Sequence, residues 1–549
     1  MLKRLKPYKN VTPEETVYNI RKILYQKGIF VIESVQSKEP LTGVCSCRII
    51  LGDESLRDYN IGSNGKGMNA KYALASAYAE FLERLQNGAL LWKKTGIPFS
   101  SPGAVDVSQS KMKQLCQELL RIEYGDHKYV DIISDEYSEQ LDKCKALTFR
   151  EYSGDSEVQI PIALYNKMSG SNGMAAGNTV IEAVIQGLSE AFEREAVHKL
   201  FLEPFTPPQI DESLFKGTEV LVRLKKLVNI GVKFRILDCS LGKRLPVIGL
   251  LIEKNGLFHI QFGADPSPIT ALERCLTETF QGRSINEIPF YPLLPAGADE
   301  KVYYENEWRE FSDSSGRVPA WILNTQPSWD FQGFEHPVTY NDEDDMQYYH
   351  SILKSMNKKL YIRETNVLGF PAVRIYVPQM TVNHCPKIEY CSTHKLNDKT
   401  LELLGKLPLL VDEQFACLAD EIIAFYQKEF GYKNAIECTV SDLGLLEQAF
   451  PPGNFPGLLW DKRVLFAAIL FRAEIYDVSS YFLESYIKEK KIAPEKANIL
   501  RVRIKSHKMF FSPMEWPQCP NCNNCKAANY CGKETLERLQ LQFNKLLRK

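Results

Sequence analysis

A chain of 549 residues with 44% apolar, 25% charged and 11% aromatic side chains is globular in composition and long enough for about two to four domains. Its formal net charge of −1, without a basic block, excludes the electrostatic footprint of a nucleic-acid binder. No apolar run reaches the roughly 18 residues of a membrane span, and no apolar segment or cleavage site follows the basic start Met1–Lys9, so a cytoplasmic protein is expected.

Residues 11–28 read as a capped helix, with Thr12 as N-cap, Pro13 in the first position, Glu15 completing a capping box and Gly28 ending it. Ile29 to Val35 and Gly43 to Leu51 read as strands, the second by alternation. The glycine-rich Ser63–Gly67 is expected to form a turn that opens a helix over Ala70–Asn87. A strand over Ile160–Tyr165 then leads into a loop of small residues, Ser169–Gly177, and a long helix over Thr179–Leu200. Strands are expected at Lys233–Leu237, Val247–Glu253 and Leu257–Phe262, a helix at Pro268–Arg283, and strands at Lys359–Arg363 and Ala372–Val377. The acidic run Asn341–Asp345 reads as a solvated helix start. Strands mixed with helices argue an α+β or α/β fold for residues 1–398. From about Lys399 long amphipathic patterns take over, at Thr400–Gly431, Lys462–Lys490 and Glu495–Lys508, so residues 399–549 read as a separate, mainly helical domain.

Three of these helices carry acidic residues at helical spacing beside a polar or basic group. They are Ser76-x3-Glu80-x2-Glu83-Arg84, Asn178-x3-Glu182-x7-Glu190-x2-Glu193-Arg194 and Glu278-x2-Gln281-x-Arg283. Residues three, four and seven apart share a helix face, so each segment aims several oxygens one way. One such segment alone would read as a solvated helix surface. Three of them, each after a turn-rich loop and two carrying Ser76 or Asn178 at helix-weakening positions, point elsewhere. Carboxylates that face one another repel unless a cation lies between them, and Mg²⁺ with a polyphosphate is the natural candidate. The chain has no G-x-x-x-x-G-K-[ST] loop, so any ATP chemistry is of another kind.

These compound motifs, with Ser240-Leu241-Gly242, Phe262-Gly263-Ala264, Asp313-Ser314-Ser315 and Arg374–Pro378, resemble the YcaO family from about residue 5 to 398, nearest its long enterobacterial type. The resemblance implies a YcaO-type α+β fold with mixed sheets around an ATP site. It implies that Glu80, Glu83, Glu190 and Glu193 hold Mg²⁺ with Glu182 or Glu278 contributing. Ser76, Asn178, Arg194, Gln281 and Arg283 would contact ATP, joined by Lys9 and Thr16. It implies ATP-dependent phosphorylation of a peptide-backbone amide, for cyclodehydration or thioamide formation, on a peptide or protein substrate, by a protein that is commonly a homodimer. The founding type is associated with β-methylthiolation of a ribosomal protein, which leaves two alternatives, an accessory protein supporting another modifying enzyme and a non-catalytic nucleotide-binding scaffold. The chain ends without the proline-rich tail of many azoline-forming members, and no peptide-clamp domain is fused, so a separate peptide-recognition or sulfur-donor protein is expected. His198, one turn past Arg194, reads as structural, and no general base is assigned.

Of fourteen cysteines, ten are scattered and read as reduced, buried thiols, among them Cys45, Cys47, Cys239, Cys275 and Cys417. Cys519, Cys522, Cys525 and Cys531 crowd four thiols into one short stretch, which suits one Zn²⁺ or one [4Fe–4S] cluster. The C-x2-C-x5-C part resembles the SPASM-like spacing of auxiliary clusters.

Overall fold

The computed structural model describes residues 9–52, 61–91, 102–139, 144–334, 341–382, 387–391, 396–430, 432–438, 443, 445–446, 461–489, 494–506, 539, 541–543 and 545–546. Three antiparallel sheets, each backed by helices, make up the part before residue 382.

The first helix, α1 (Pro13–Gln26), has the full capping box between Thr12 and Glu15, and Gly28 leaves it at φ +67°. Val17, Ile20 and Leu24 form its buried stripe. Strands β1 (Val31–Lys38), β2 (Cys45–Leu51) and β3 (Gly62–Gly67) pair in that order, with Lys38 opposite Cys45 and Cys45 opposite Gly67. The stretch expected to turn at Ser63–Gly67 is therefore an edge strand. Its glycines serve close packing and not a turn: at Gly65 a Cβ would lie 2.0 Å from the Ala73 carbonyl of the next helix, α2 (Ala70–Gln86). The core under this sheet includes Ile20, Ile49, Phe81 and Leu82, and also Phe543 from the far end of the chain.

The third sheet in space is assembled from distant pieces. Strands β4 (Val105–Asp106), β5 (Lys145–Glu151), β12 (Tyr361–Glu364), β13 (Ala372–Tyr376) and β7 (Met174–Ala176) pair in that order, and β6 (Glu157–Pro161) pairs with β5. Helices α3 (Gln109–Tyr124) and α4 (Tyr129–Ser138) pack on each other beside it. The expected strand Ile160–Tyr165 ends at Pro161, and Ile162–Ser169 forms helix α5, on which the buried Arg374 of β13 is anchored. Its guanidinium lies over the Tyr165 ring at 4.4 Å and donates to Asn166 Oδ1 (2.6 Å) and Ser169 Oγ (3.0 Å). The loop of small residues expected at Ser169–Gly177 contains β7, which then feeds α6 (Val180–Leu202).

The remaining sheet runs β11 (Leu257–Ala264), β10 (Val247–Lys254), β9 (Lys233–Asp238) and β8 (Gln209–Ile210), packed against α7 (Glu219–Val228) and α8 (Pro268–Thr279). β10 reads as a continuous apolar run because it is covered on both faces. α8 stops at Thr279, whose hydroxyl bonds back to the Cys275 carbonyl, and Gly282 follows at φ +67°. Gln281 and Arg283 thus lie beyond the helix in which they were expected. Helices α9 (Glu300–Asp313) and α10 (Asp342–Ser355) close over α6.

After residue 396 all described elements are helical: α11 (Asp398–Gly405), α12 (Asp412–Phe430), α13 (Lys462–Arg472), α14 (Tyr476–Glu489) and α15 (Pro494–Lys505). Two of the long helices expected here are each broken into two. These helices share a core of their own, centred on Leu418, Ile422, Phe466, Leu470 and Phe482. Among the described residues no helix is long and apolar enough to cross a membrane. Cys45, Cys47, Cys239 and Cys275 are buried free thiols, and Cys417 is half-buried. The expected metal or cluster ligands Cys519, Cys522, Cys525 and Cys531 lie outside the described residues.

A candidate nucleotide and metal site built on three helices

The helices α2, α6 and α8 are built alike. Each follows an edge strand of a different sheet, β3, β7 and β11. Each opens on a side-chain N-cap: Asn69 accepts from the Lys71 and Tyr72 N–H groups, Thr179 from Glu182 and Ser267 from Thr270. Counted from those caps, the eleventh residue is Glu80, Glu190 or Glu278, and the fourteenth is Glu83, Glu193 or Gln281. The seventh is Ser76, Gln186 or Arg274. A close strand–helix approach recurs as well, since a Cβ on Gly263 would lie 2.3 Å from the Ala271 carbonyl, the counterpart of Gly65 and Ala73.

All nine of those side chains line one cavity of about 740 Å³. Of the residues expected at the site, Lys9, Thr16, Ser76, Glu80, Glu83, Asn178, Glu182, Glu190, Glu193, Arg194, Glu278 and Gln281 are brought together here. Arg283 is not among the lining residues; its guanidinium donates to the Asp313 carbonyl at 2.6 Å. His198 faces away, with Nδ1 2.6 Å from Glu307 Oε1.

Asn178 precedes the N-cap of α6, so it is a loop residue and not the helix residue expected. It organises the mouth of the cavity with Thr16, whose hydroxyl donates to Asn178 Oδ1 at 2.9 Å. Asn178 Nδ2 donates to Glu182 Oε1 at 3.0 Å, Asn10 Nδ2 donates to Glu182 Oε2 at 2.9 Å, and Lys9 Nζ stands 3.7 Å from the same carboxylate. Glu182 is thereby committed on both oxygens. The acidic run at 341–345 is the start of α10 as expected, yet Asp342 and Asp345 line the cavity too.

Deeper in, acids and bases alternate. Arg84 lies 3.3 Å from Glu83 and 3.7 Å from Glu80, Arg194 Nε donates to Glu190 at 3.0 Å, and Lys66 pairs with Glu278. Arg274 donates to Gln186 Oε1 at 2.7 Å and Asp265 Oδ2 at 3.1 Å. Burial pushes the Glu83 carboxyl well above its ordinary range; Arg84 pulls it back, while Glu80 and Glu190 push it further up. Burial likewise raises Glu193, against the pull of Lys66 and Arg274. Desolvation lowers the Lys66 ammonium, and Glu193, Glu80 and Glu190 oppose that. Among the described residues no three acidic, histidine or cysteine side chains converge tightly enough to hold a metal ion as they stand. Their counter-charges are Arg84, Arg194 and Lys66.

The donor set nevertheless suits a hard cation. Every acidic group is an oxygen ligand, like charges are crowded in a buried place, and Gln261 Oε1 is buried in the lining without a hydrogen-bond partner. The basic groups around them suit a polyphosphate. Sequence reasoning missed Lys66, Gln186, Asp265, Arg274 and Glu310. Counting from the helix caps would have found Gln186 and Arg274 as the partners of Ser76.

A family profile described as YcaO cyclodehydratase, ATP- and Mg²⁺-binding, matches residues 64–381. An uncharacterized protein of Haemophilus influenzae is 29% identical over 396 residues, which cover 68% of this chain and 65% of that protein. The Escherichia coli (strain K12) protein named ribosomal protein S12 methylthiotransferase accessory factor YcaO is 28% identical over 429 residues, covering 73% of this chain and 70% of that one. The chain therefore spans about two thirds of the length of both relatives. A solved YcaO from Methanopyrus kandleri, bound with AMPPCP and Mg²⁺, has a TM-score of 0.43 at 18% identity, covering 70% of this chain and 96% of its own, a likeness too distant to place individual residues. On the match over more than half of its length, the chain belongs to the YcaO family.

Proposed function

We propose that this protein is an ATP- and Mg²⁺-dependent enzyme that activates a peptide-backbone amide for thioamide formation or azoline-type cyclodehydration. One observation carries the reading: three helices of matching construction turn acids at the same two positions into a single buried cavity rimmed by Lys and Arg. Five of those six positions are Glu, and the sixth is Gln281. A purely structural role would have no use for that much like charge in one place.

In this reading Glu80, Glu83, Glu190 and Glu193 hold Mg²⁺, with Glu278 as a further ligand. Mg²⁺ would supply charge neutralisation for the phosphates during transfer. Arg84, Arg194, Lys66 and Arg274 would exchange their carboxylate partners for phosphate oxygens as nucleotide enters. Thr16, Ser76, Asn178 and Gln281 would position the nucleotide by hydrogen bonds, and Lys9 with the committed Glu182 would fix the mouth. Arg283 would act from behind, by holding the 313 carbonyl. The substrate chemistry is addition of a sulfur or oxygen nucleophile to the amide carbon. The resulting tetrahedral oxygen takes the γ-phosphoryl group from ATP and ADP departs. Phosphate then leaves with the former carbonyl oxygen while a proton is lost from nitrogen or sulfur, forming C=N or C=S. Residues 399–549 would form a second, helical domain, supported by their own core, and Cys519, Cys522, Cys525 and Cys531 would hold a [4Fe–4S] cluster or Zn²⁺.

The test is ATP consumption by the full chain with Mg²⁺, a peptide and sulfide. Glu83→Gln and Glu193→Gln should each abolish turnover with an unchanged melting profile; turnover retained in both removes these residues from the metal site. The name of the Escherichia coli relative favours a second reading, an accessory factor for another modifying enzyme. In that case hydrolysis appears only when a partner protein is added.

A further inference from the structure

Helix α6 has a second working face. Glu190, Glu193, Arg194 and Val197 line the cavity already described, whereas Glu195, His198 and Lys199 line another of about 680 Å³ on the opposite side. Lys243, Arg244 and Lys358 stand in its wall, as does a second carboxylate, Glu123, which accepts from the Tyr376 hydroxyl at 2.5 Å and from the Gln379 N–H at 2.8 Å. Its size is that of a small-molecule site.

The charges there are unequal and unevenly used. Lys199 pairs with Glu203 at 2.5 Å, Lys358 Nζ donates to Gln379 Oε1 at 2.9 Å, and His198 is held by Glu307. Lys243 makes no ion pair among the described residues. Glu195 is 9% exposed, yet its carboxylate accepts no hydrogen bond and forms no ion pair there. A buried carboxylate left without a donor normally costs stability, so its presence at the wall of a cation-rich cavity needs a reason. The backbone around it is also held in the left-handed region, at Leu241 (φ 56°), Arg244 (φ 65°) and Gln379 (φ 58°).

We infer that this second cavity binds a phosphate group, as hydrogen phosphate or as a small phosphate monoester, with Lys243, Arg244, Lys358 and His198 facing its oxygens and Glu195 accepting its O–H. A tetrahedral phosphate anion offsets the charge of Lys243 and Lys358, neither of which has an ion-pair partner among the described residues. Hydrogen phosphate and a monoanionic monoester carry a proton that Glu195 can accept. Sulfate at neutral pH has none, and would set a lone pair against the carboxylate. The unpartnered acid therefore makes the site choose phosphate over sulfate, and the volume leaves room for an organic group on the ester. The two cavities share α6, so this site lies one helix away from the place where ATP chemistry is proposed.

Calorimetric titration of the full chain, saturated with AMPPCP and Mg²⁺ to occupy the larger cavity, tests this. Inorganic phosphate should bind at least about tenfold more tightly than sulfate, as expected for one charge-assisted hydrogen bond gained. K243A/K358A should weaken phosphate by about tenfold or more, and E195Q, whose amide can donate to sulfate, should erase the preference. The same titration with glycerol 3-phosphate distinguishes the sources: tighter binding than inorganic phosphate marks a monoester site, and weaker binding marks free phosphate. Neither substitution touches the larger cavity, so failure here is separable from failure of the ATP reading. Equal affinity for phosphate and sulfate in the unmodified chain, or no change in either variant, overturns the assignment. Thermal melting of both variants shows whether they remain folded; should E195Q fail to fold, E195D, which keeps the acceptor on a shorter arm, should retain the preference with reduced affinity.

Discussion

Gly65→Ala puts the packing that sets the site to a direct test. The added Cβ would sit 2.0 Å from the Ala73 carbonyl and 2.4 Å from the Ala77 nitrogen. Both are backbone atoms of α2, so no side chain can rotate out of the way. Restoring ordinary contact at 3.4 Å moves strand and helix apart by about 1.4 Å, the difference from 2.0 Å. Overpacking of this kind costs about 1–3 kcal/mol. Ser76, Glu80 and Glu83 ride on α2 and would shift with it relative to α6 and α8. A misplacement of about 1 Å can cost on the order of a hundredfold in a positioned reaction. The expected result is a melting temperature several degrees lower and Mg²⁺-dependent ATP turnover reduced by about ten- to a hundredfold. Gly405→Ala is the control, because its Cβ would meet nothing within 4 Å at the end of a helix. There a gain of about 0.4–1 kcal/mol is expected. Wild-type melting and turnover in G65A would refute the argument that this contact fixes the placement of the acids.

Two further outcomes are open to measurement. Burial pushes Glu310 up to about 8, against the Gly316 N–H that its carboxylate accepts. Its folded pKa exceeds the ordinary 4.5, so its contribution to stability is complete below that value and is lost as pH rises toward 8. The wild type should therefore lose more stability than Glu310→Gln between pH 5 and about 8, and parallel melting curves would contradict this. Full-length protein purified without oxygen should be brown, with iron–sulfur absorbance that Cys519→Ala and Cys522→Ala remove. A colourless protein with stoichiometric zinc would decide for the other metal, and neither metal would leave the four cysteines without the role proposed.

Local chemistry made much of this legible. The Thr12, Pro13 and Glu15 cap, the alternation in β2 and the acidic stripe of α6 each have a signal within a few residues of where it acts. Local signals fail where distant partners decide. β7 is three residues long and exists because Ala372–Arg374 pairs with it, so no local pattern could reveal it. The run Ile160–Tyr165 is apolar throughout, and only the tertiary setting of Arg374 shows why its second half coils into α5. Gly282, at φ +67°, ends the third acidic helix inside a motif whose spacing runs past it. The threefold likeness of α2, α6 and α8 was hidden because their caps at Asn69, Thr179 and Ser267 are unevenly spaced along the chain. A search for a fixed period cannot find it.

Phe543 is fully buried in a core that residues 17–91 build together with Ala176, Leu368, Phe370 and Ala372, with Leu539 and Leu546 packed beside it. During synthesis, the polypeptide that makes the first sheet and its helices leaves the ribosome long before this ring does. The opening module consequently waits, with one socket of its interior unfilled, until residues far downstream have been made. Completion of the core beneath the acidic helix α2 is thus tied to a distant stretch of the polypeptide, so that truncation before Phe543 leaves that core incomplete.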